Sequence, residues 1–305
     1  MVFNSLIPVF ALILGGTLLK NFGLIDDRFT KAADRMVYFG FFPALLVLKI
    51  GQQHDFPESI GPLWGASLST LAVMLAISLL AARQLRLTGR SIGAFTQCCY
   101  RANTYVGMAV VIAAMGERAA GPFGIYLGLM IPIINVLAVV TMVWYSDMPM
   151  SSGRRLMLTI KSVAINPLIL ACVAGLLYAQ LFSGFPVVIE KTLALAAAAS
   201  LPLALISIGS ALSLSELQGR LRSTLTAAVI KTFVFPLVGY LFLRLWGVEV
   251  FERQMGMLFF ALCVAPSTYV LVAQFHGDAE LSARVIAAST LVSFISLSLV
   301  LWIFF

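Results

Sequence analysis

Two short polar motifs interrupt long apolar stretches of the sequence, and their residue types suit one kind of chemistry. The first, residues 101–106, reads RANTYV, and the second, residues 265–270, reads APSTYV. Arginine, asparagine and hydroxyl groups all donate hydrogen bonds, and the fork of an arginine matches both oxygens of a carboxylate. The motifs therefore favour the binding of a small anion, with a carboxylate as the expected group.

Arg101 and Lys231 are the two basic residues that lie well inside apolar stretches, whereas all thirteen Asp and Glu residues lie in loops or near the ends of these stretches. A buried cation is costly in a membrane and usually marks the path of a substrate or an ion. Cation pumps and sodium–proton antiporters usually need an embedded carboxylate, so the sequence disfavours those classes. A second role stays open for both residues, since each could bond to backbone carbonyl groups, and Arg101 could extend to the membrane interface.

The candidate site residues are the polar residues of the two motifs and polar residues in neighbouring apolar stretches. Those expected to contact a substrate are Asn103, Thr104, Tyr105, Pro266, Ser267, Thr268, Arg101 and Asn135. Lys231 and Gln274 are candidates for a role in charge or coupling. Hydrogen bonding between helices is the alternative role of Asn135, Gln274 and Gln97. The sequence has no metal-binding, nucleotide-binding or nucleophile motif, so we predict no metal, no cofactor and no enzyme activity.

The composition shows that the elements carrying these motifs belong to a membrane protein. Of the 305 residues, 61% are hydrophobic and 11% are charged, and the mean hydropathy is +1.00. Soluble domains are about 45–50% apolar and about 25% charged. A soluble fold of this length has too little interior for so much apolar surface, which excludes soluble enzymes, nucleic-acid-binding proteins and disordered chains. The four cysteines lie in apolar stretches without a CxxC motif, which indicates buried thiols.

Ten stretches are long and apolar enough to cross a bilayer as helices, which takes about 20 residues each. They cover residues 3–20, 33–51, 60–82, 92–115, 121–145, 160–182, 190–212, 222–245, 255–275 and 281–304. The loops after the odd-numbered stretches hold 13 Lys and Arg residues, and the other loops hold 5. Because basic loops stay in the cytoplasm, we predict a multi-pass protein of the inner (plasma) membrane with both termini on the non-cytoplasmic side.

A weak internal repeat predicts two inverted halves, residues 1–150 and 151–305. At an offset of 159 residues the matches include Pro8 with Pro167, Gly16 with Gly175 and Pro43 with Pro202. The two polar motifs match at an offset of 164 residues. Five helices are an odd number, so the second half is expected to be upside down relative to the first. Inverted repeats are typical of transporters, which bind substrates near the middle of the membrane at interrupted helices.

Stretches 4 and 9 carry the two polar motifs, and we expect both helices to be interrupted there. Pro266 removes one backbone hydrogen bond from helix 9 and clashes with the preceding turn. The alternative, that Pro266 only kinks a continuous helix, stays open. Helix 4 has Asn103, Thr104 and Gly107 but no proline, so its interruption is predicted from the match with helix 9.

The sequence as a whole resembles the auxin efflux carrier family of secondary transporters, in particular its bacterial members described as malonate-transporter-like permeases. The resemblance extends over essentially the whole chain and is carried by residues 7–26, 101–107, 166–169 and 266–278 and by Asn135. Many relatives have a proline after the Gly-Leu of helix 4, whereas this chain has Met108 and Ala109. We therefore expect a softer interruption in helix 4 than in those relatives.

The resemblance implies ten transmembrane helices in two inverted five-helix repeats. The broken helices 4 and 9 would cross near the midplane, and the substrate carboxylate would bind at the crossing. Helices 1, 2, 6 and 7 would form a scaffold through which two copies make a homodimer. Helices 3–5 and 8–10 would form a mobile transport domain that works by an elevator mechanism.

Together these features predict an all-α integral membrane protein that moves a small organic anion, a mono- or dicarboxylate such as malonate. Proton coupling, sodium coupling and uniport all stay open. The nearest alternative is a sodium-coupled symporter of the bile-acid type, in which oxygens of Asn103, Thr104, Ser267, Thr268 and Gln274 would bind sodium. Another alternative is a membrane sensor that binds a ligand without moving it. The expected partners are the anion and the lipid bilayer, and no nucleic acid.

Overall fold

The computed structural model of the chain describes residues 2–53, 60–145, 164–212 and 221–305, together with residues 153, 157, 160 and 161. These residues form helices and connecting turns, and they contain no strand. The predicted all-α class is therefore confirmed for the described part of the chain. The predicted boundary between the two repeats, at residue 150, lies outside the described residues.

The described helices are numbered here in chain order. They are α1 (Val2–Asn21), α2 (Asp27–Met36), α3 (Phe42–Gly51), α4 (Ile60–Gln84), α5 (Gly89–Cys98), α6 (Thr104–Met115), α7 (Ala120–Trp144), α8 (Pro167–Leu181), α9 (Val187–Ala211), α10 (Leu221–Val229), α11 (Phe235–Leu245), α12 (Val250–Ala261), α13 (Ser267–Gln274) and α14 (Ala279–Phe304). A 3-10 turn, Glu117–Ala119, precedes α7.

Two π-helical turns, Val37–Phe41 and Ile230–Val234, join α2 to α3 and α10 to α11. Each π turn ends immediately before a Phe-Pro pair, at residues 42–43 and 235–236. Proline has no backbone N–H and its ring clashes with the preceding turn of an α-helix. A wider turn before the proline relieves that clash, so the helix continues instead of ending.

Among the described residues, five helical segments are long and apolar enough to cross a membrane: Ile60–Gln84, Glu117–Trp144, Val187–Ala211, Leu221–Leu245 and Ala279–Phe304. Shorter apolar helices cover Ser5–Asn21, Thr104–Met115 and Pro167–Leu181. These helices are compatible with a multi-pass membrane protein. The number of ten crossings and the inverted orientation of the halves stay predictions.

The chain forms two compact units, and each is assembled from three separate segments. The first unit contains Met1–Glu58, Met108–Pro132 and Val163–Leu212. The second contains Ser59–Gly107, Ile133–Ser162 and Ser213–Phe305. Each unit draws segments from both sides of residue 150, so neither can be complete within one half of the sequence.

In the first unit, α1 and α9 pack with their backbones in close contact at two glycines. Gly16 lies against the carbonyl group of Ile206, and Gly209 lies against the carbonyl group of Ile13. Thr17 Oγ1 also donates a hydrogen bond to the Gly209 carbonyl oxygen at 2.8 Å. Small residues allow such close approach between helices in a membrane, where dispersion contacts and hydrogen bonds drive packing.

Replacing Gly209 with alanine is expected to destabilise the first unit by about 1–3 kcal/mol, in the range of overpacked cores. The new methyl group would meet the backbone of Ile13, which cannot rotate away as a side chain would. The melting temperature of the purified protein in detergent measures the effect, and we expect it to fall by several degrees. Gly15→Ala is the matched control, since a methyl group there has no neighbour within 4 Å. Equal melting temperatures for the two variants would contradict the close contact.

In the second unit, the predicted helices 4 and 9 are each interrupted at a polar motif, as the sequence predicts. Predicted helix 4 is divided into α5 and α6, and predicted helix 9 is divided into α12 and α13. α5 ends at Cys98 and α6 begins at Thr104, while α12 ends at Ala261 and α13 begins at Ser267. Each interruption leaves five residues outside the helices. Pro266 therefore separates two helices instead of kinking a continuous one.

The interruption of helix 4 is as long as that of helix 9, and the softer interruption expected from Met108 and Ala109 stays a prediction. The interruption lies before α6, and α6 begins with a capping side chain, that of Asn103. Met108 and Ala109 lie inside α6, where a proline is not needed to keep residues 99–103 out of a helix.

The backbone freed by the interruption of helix 9 finds partners on α14. Val264 N donates to Ser289 Oγ at 3.1 Å, and Ser296 Oγ donates to the Ala261 carbonyl oxygen at 2.9 Å. Non-helical backbone inside a membrane needs such partners, because lipid offers none. The last helix of the chain therefore supports the shape of the second interruption.

Candidate functional site

Arg101 lies in the first interruption, three residues after the end of α5, and its side chain connects three elements of the second unit. Its Nη1 donates to Gln97 Oε1 at 3.3 Å. Its Nη2 donates to Asn135 Oδ1 on α7 at 3.2 Å and to Ser267 Oγ, at the start of α13, at 3.1 Å. All three of these partners are neutral, and the residue as a whole is 7% exposed. The structure thus brings together three of the predicted site residues, Arg101, Asn135 and Ser267.

Asn103 joins the two interruptions and begins α6. Its backbone N–H donates to the Cys263 carbonyl oxygen at 2.9 Å. Its Oδ1 accepts hydrogen bonds from the backbone N–H groups of Tyr105 and Val106, at 3.2 and 3.3 Å. This is the role of a helix N-cap, for which asparagine is among the best residues. The side-chain oxygen of Asn103 is therefore committed to the helix, and its Nδ2 is left for other partners.

Five buried side-chain groups that can donate hydrogen bonds have no regular partner among the described residues of the second unit. Two of them, Trp64 Nε1 and Thr224 Oγ1, lie on α4 and α10, and the other three are Gln97 Nε2, Asn103 Nδ2 and Thr268 Oγ1. Asn103 Nδ2 has at most a weak contact with the thiol of Cys263. A buried donor without a partner costs about 1–3 kcal/mol. Gln97, Asn103 and Thr268 lie in or beside the two interruptions, so this part of the second unit has donors to offer.

Lys231 is fully buried in the π-helical turn before α11, and it caps the end of α12. Its Nζ donates to the Phe260 carbonyl oxygen at 2.9 Å and lies 4.7 Å from the centre of the Phe235 ring. Carbonyl groups at the C-terminal end of a helix carry partial negative charge, so a cation is favourable there. The geometry agrees with the backbone pairing that the sequence left open for Lys231, and its role in coupling stays a prediction.

Lys231→Met is expected to raise the free energy of unfolding by about 1 kcal/mol or more. Methionine fills the same space without the cost of burying a charge, and such replacements are often stabilising. The lost hydrogen bond to Phe260 reduces this gain without reversing it. Thermal unfolding in detergent measures the effect, with the exposed Lys191→Met as a control. A lower melting temperature for Lys231→Met would instead mean that the lysine is retained to hold the end of α12.

The other predicted site residues lie at helix ends. Thr104 and Tyr105 are the first two residues of α6, and both are half-buried. Pro266 directly precedes α13. Gln274 is exposed at the opposite end of α13, seven residues after Ser267, or about 10 Å along a helix. The structure therefore does not bring Gln274 to Arg101.

Two kinds of residue at the interruptions are not evident from the two motifs. Gln97 reaches Arg101 because it lies one helical turn before it. Ser289 and Ser296 on α14 bond to the backbone of the second interruption. Their sequence signal is the run Ser289, Ser293 and Ser296, whose spacing of four and three residues places hydroxyl groups on one face of an apolar helix.

Comparison with known protein families defines the class of the molecule. Residues 153–302, about half of the chain, match the model of a family described as membrane transport protein. Together with the apolar helices, this match makes the chain a membrane transport protein. It belongs to the family of the auxin efflux carriers, and the resemblance noted in the sequence is confirmed. The matched segment contains Lys231 and residues 265–270 but not residues 101–106. No curated protein matches the chain.

Proposed function

We propose that the protein is a secondary transporter of small organic anions, mono- or dicarboxylates such as malonate, and that the anion binds at the two helix interruptions. The observation that carries this proposal is the buried Arg101, held by three neutral side chains beside buried donors that lack partners. A carboxylate suits this arrangement, because it is a negatively charged acceptor with several lone pairs.

Replacing a neutral hydrogen-bond partner of Arg101 with a substrate carboxylate is energetically favourable. Hydrogen bonds between a guanidinium and a carboxylate are about twice as strong as those to neutral groups, and the fork binds both oxygens. The amide of Asn135 and the hydroxyl of Ser267 hold the guanidinium in place until a substrate arrives. A substrate carboxylate would replace one of these neutral acceptors, at little cost to the rest of the structure.

The helices that start at the interruptions add to the attraction. Both α6 and α13 begin there, and helix N-terminal ends carry partial positive charge. Asn103 Nδ2 and Thr268 Oγ1 are the unpartnered donors beside these two helix starts. In transporters with broken helices, such half-helix ends bind the charged groups of substrates.

The same site disfavours sodium as a ligand of the two motifs. Sodium needs several oxygen acceptors, but Asn103 Oδ1 already accepts from the backbone and Ser267 Oγ accepts from Arg101. The positive charge of Arg101 would also repel a cation. We therefore favour an anion transporter driven by protons or by the membrane potential over a sodium-coupled symporter of the bile-acid type.

Alternating access would follow an elevator mechanism in the inner membrane, with both termini outside the cytoplasm. The interleaved composition of the two compact units supports a division into a scaffold and a transport domain. In this proposal two segments of the first unit, Met1–Glu58 and Val163–Leu212, contain predicted helices 1, 2, 6 and 7 and correspond to the scaffold, which would also carry the homodimer contact. The third segment, Met108–Pro132, belongs to predicted helices 4 and 5 of the transport domain. The second unit, with Arg101 and both interruptions, corresponds to the transport domain.

Uptake into sealed proteoliposomes tests the function. The purified protein is reconstituted, and uptake of labelled malonate and of a panel of other mono- and dicarboxylates is followed with a proton gradient, with a sodium gradient or with neither. We expect saturable uptake of at least one carboxylate that does not require sodium. Saturable binding without uptake would indicate a membrane sensor instead. Uptake that depends on sodium would favour the bile-acid type of symporter.

A further inference from the structure

A second basic site lies in the second unit, and it shares no residue with the Arg101 site. It is a cavity of about 290 Å³ between the connection from α4 to α5 and the first residues of α10. The described residues of its lining are Leu85, Arg86, Leu87, Thr88, Arg222 and Ser223. Two arginines and two hydroxyl groups therefore face one small cavity, and no acidic residue is among the described residues that line it.

Arg86 follows the C-terminal end of α4 in a left-handed backbone conformation and lies in the cavity lining. Its φ is 52°, in the left-handed region that disfavours residues with a Cβ atom. Arg86 N donates to the Arg83 carbonyl and Leu87 N to the Ala82 carbonyl, at 3.0 and 3.1 Å, which is the hydrogen-bond pattern of a helix end where glycine is usual. Strained residues of this kind are concentrated at functional sites.

Within the described part of the chain, neither Arg86 nor Arg222 forms an ion pair. The described ion pairs involve other basic residues, Lys20, Lys49 and Arg284. Arg86 and Arg222 are both exposed at the surface of the second unit. The cavity therefore presents two guanidinium groups to whatever enters it.

The predicted topology places this cavity at the cytoplasmic face of the membrane. The connection from α4 to α5 follows the third predicted stretch, and residue 222 lies at the start of the eighth. The charge distribution assigns both positions to the cytoplasmic side. Basic pockets between transmembrane helices on this side are suited to the head groups of anionic lipids.

We propose that this cavity binds a phosphate group, either that of an anionic phospholipid in the cytoplasmic leaflet or that of a free phosphate. Arginine forks bind phosphate oxygens in pairs, and the hydroxyl groups of Thr88 and Ser223 lie in the same lining. The cavity of about 290 Å³ is just below the usual range for ligand sites, about 300–1,000 Å³, which suits one head group. Leu85 and Leu87 give the lining an apolar part for the glycerol and the first carbons of a lipid. This proposal does not depend on the proposed transport function.

Lipid retention tests the proposal on the purified full-length protein. The protein is exchanged into detergent with equal amounts of phosphatidylglycerol and phosphatidylcholine, and the bound lipids are counted by native mass spectrometry. We expect a preference for phosphatidylglycerol that falls about fivefold for each arginine replaced in Arg86→Gln and Arg222→Gln. Arg83→Gln is the matched control, because Arg83 is an exposed arginine of the same region outside the cavity lining. Phosphatidylglycerol retention that is unchanged in the double variant would overturn the proposal.

Two further measurements are needed. The first distinguishes a lipid phosphate from a free phosphate, and the second distinguishes loss of binding from loss of stability. Displacement of phosphatidylglycerol by millimolar inorganic phosphate, or phosphate-dependent thermal stabilisation without any lipid preference, assigns the site to free phosphate. Arg86→Gly removes the side chain and relieves the strained backbone, so we expect it to raise the melting temperature while it lowers lipid retention. An Arg86→Gly variant that is more stable and still retains phosphatidylglycerol fully would overturn the role of Arg86.

Discussion

Replacing Arg101 with glutamine is expected to lower the rate of saturable carboxylate uptake about 100-fold or more. The substitution removes the guanidinium and with it two or more charge-assisted hydrogen bonds to the anion, each of which contributes about 1.5–3 kcal/mol. Glutamine can still bond to Asn135 or Ser267, so the packing of the second unit changes little. Initial rates of uptake into proteoliposomes, at several substrate concentrations, measure the loss.

Arg101→Lys separates the charge of this residue from its shape. Lysine keeps the positive charge but lacks the fork that reaches Gln97, Asn135 and Ser267 together. We expect residual uptake with a raised KM, between wild type and Arg101→Gln. Thermal stabilisation by substrate provides a second readout, which Arg101→Gln should lose while its melting temperature without substrate stays near that of wild type. A folded Arg101→Gln protein with normal uptake would exclude Arg101 from the site.

Replacing Asn103 with aspartate is expected to abolish anion uptake while it leaves α6 intact. Aspartate caps a helix as well as asparagine does, so the hydrogen bonds from Tyr105 and Val106 are kept. The change replaces the Nδ2 donor with a negatively charged oxygen of the same size. Repulsion between this oxygen and a carboxylate substrate costs several kcal/mol in a desolvated site, which corresponds to a loss of 100-fold or more.

Asn103→Ser is the matched control for this experiment. Serine also caps a helix but carries no charge, so it removes the Nδ2 donor without adding repulsion. We expect Asn103→Ser to weaken uptake by about tenfold, far less than Asn103→Asp. Uptake near the wild-type rate in both variants would show that the anion binds elsewhere. An equally large loss of uptake in both variants, together with a lower melting temperature, would show that both substitutions disturb α6.

The sequence was sufficient to predict the helical class, the membrane class of the protein and the positions of both interruptions. These predictions succeed because they depend on local chemistry. Pro266 cannot continue a helix, and the hydropathy of a membrane helix is visible in a window of about 20 residues. The match between the two motifs added the interruption of helix 4, which lacks a proline.

The contacts inside the site could not be predicted in the same way. The sequence identifies Arg101 as a buried cation, but its bonds to Asn135 and Ser267 join residues that are 34 and 166 positions away. Gln274 was placed in the site because it is polar and near the second motif, yet α13 carries it about 10 Å from Ser267. Distances of this kind depend on how helices pack, and a hydropathy pattern contains no information about that packing.

The hydrogen bond between Asn103 N and the Cys263 carbonyl has a consequence for how the protein is made. During synthesis, the interruption of helix 4 enters the membrane about 160 residues before its backbone partner has been translated. Until then the exposed N–H group of residue 103 needs water or the insertion machinery as a substitute, because lipid cannot accept its hydrogen bond. The nascent first half is therefore an unfinished structure, and two fragments divided near residue 150 should become stable only when they are produced in the same cell.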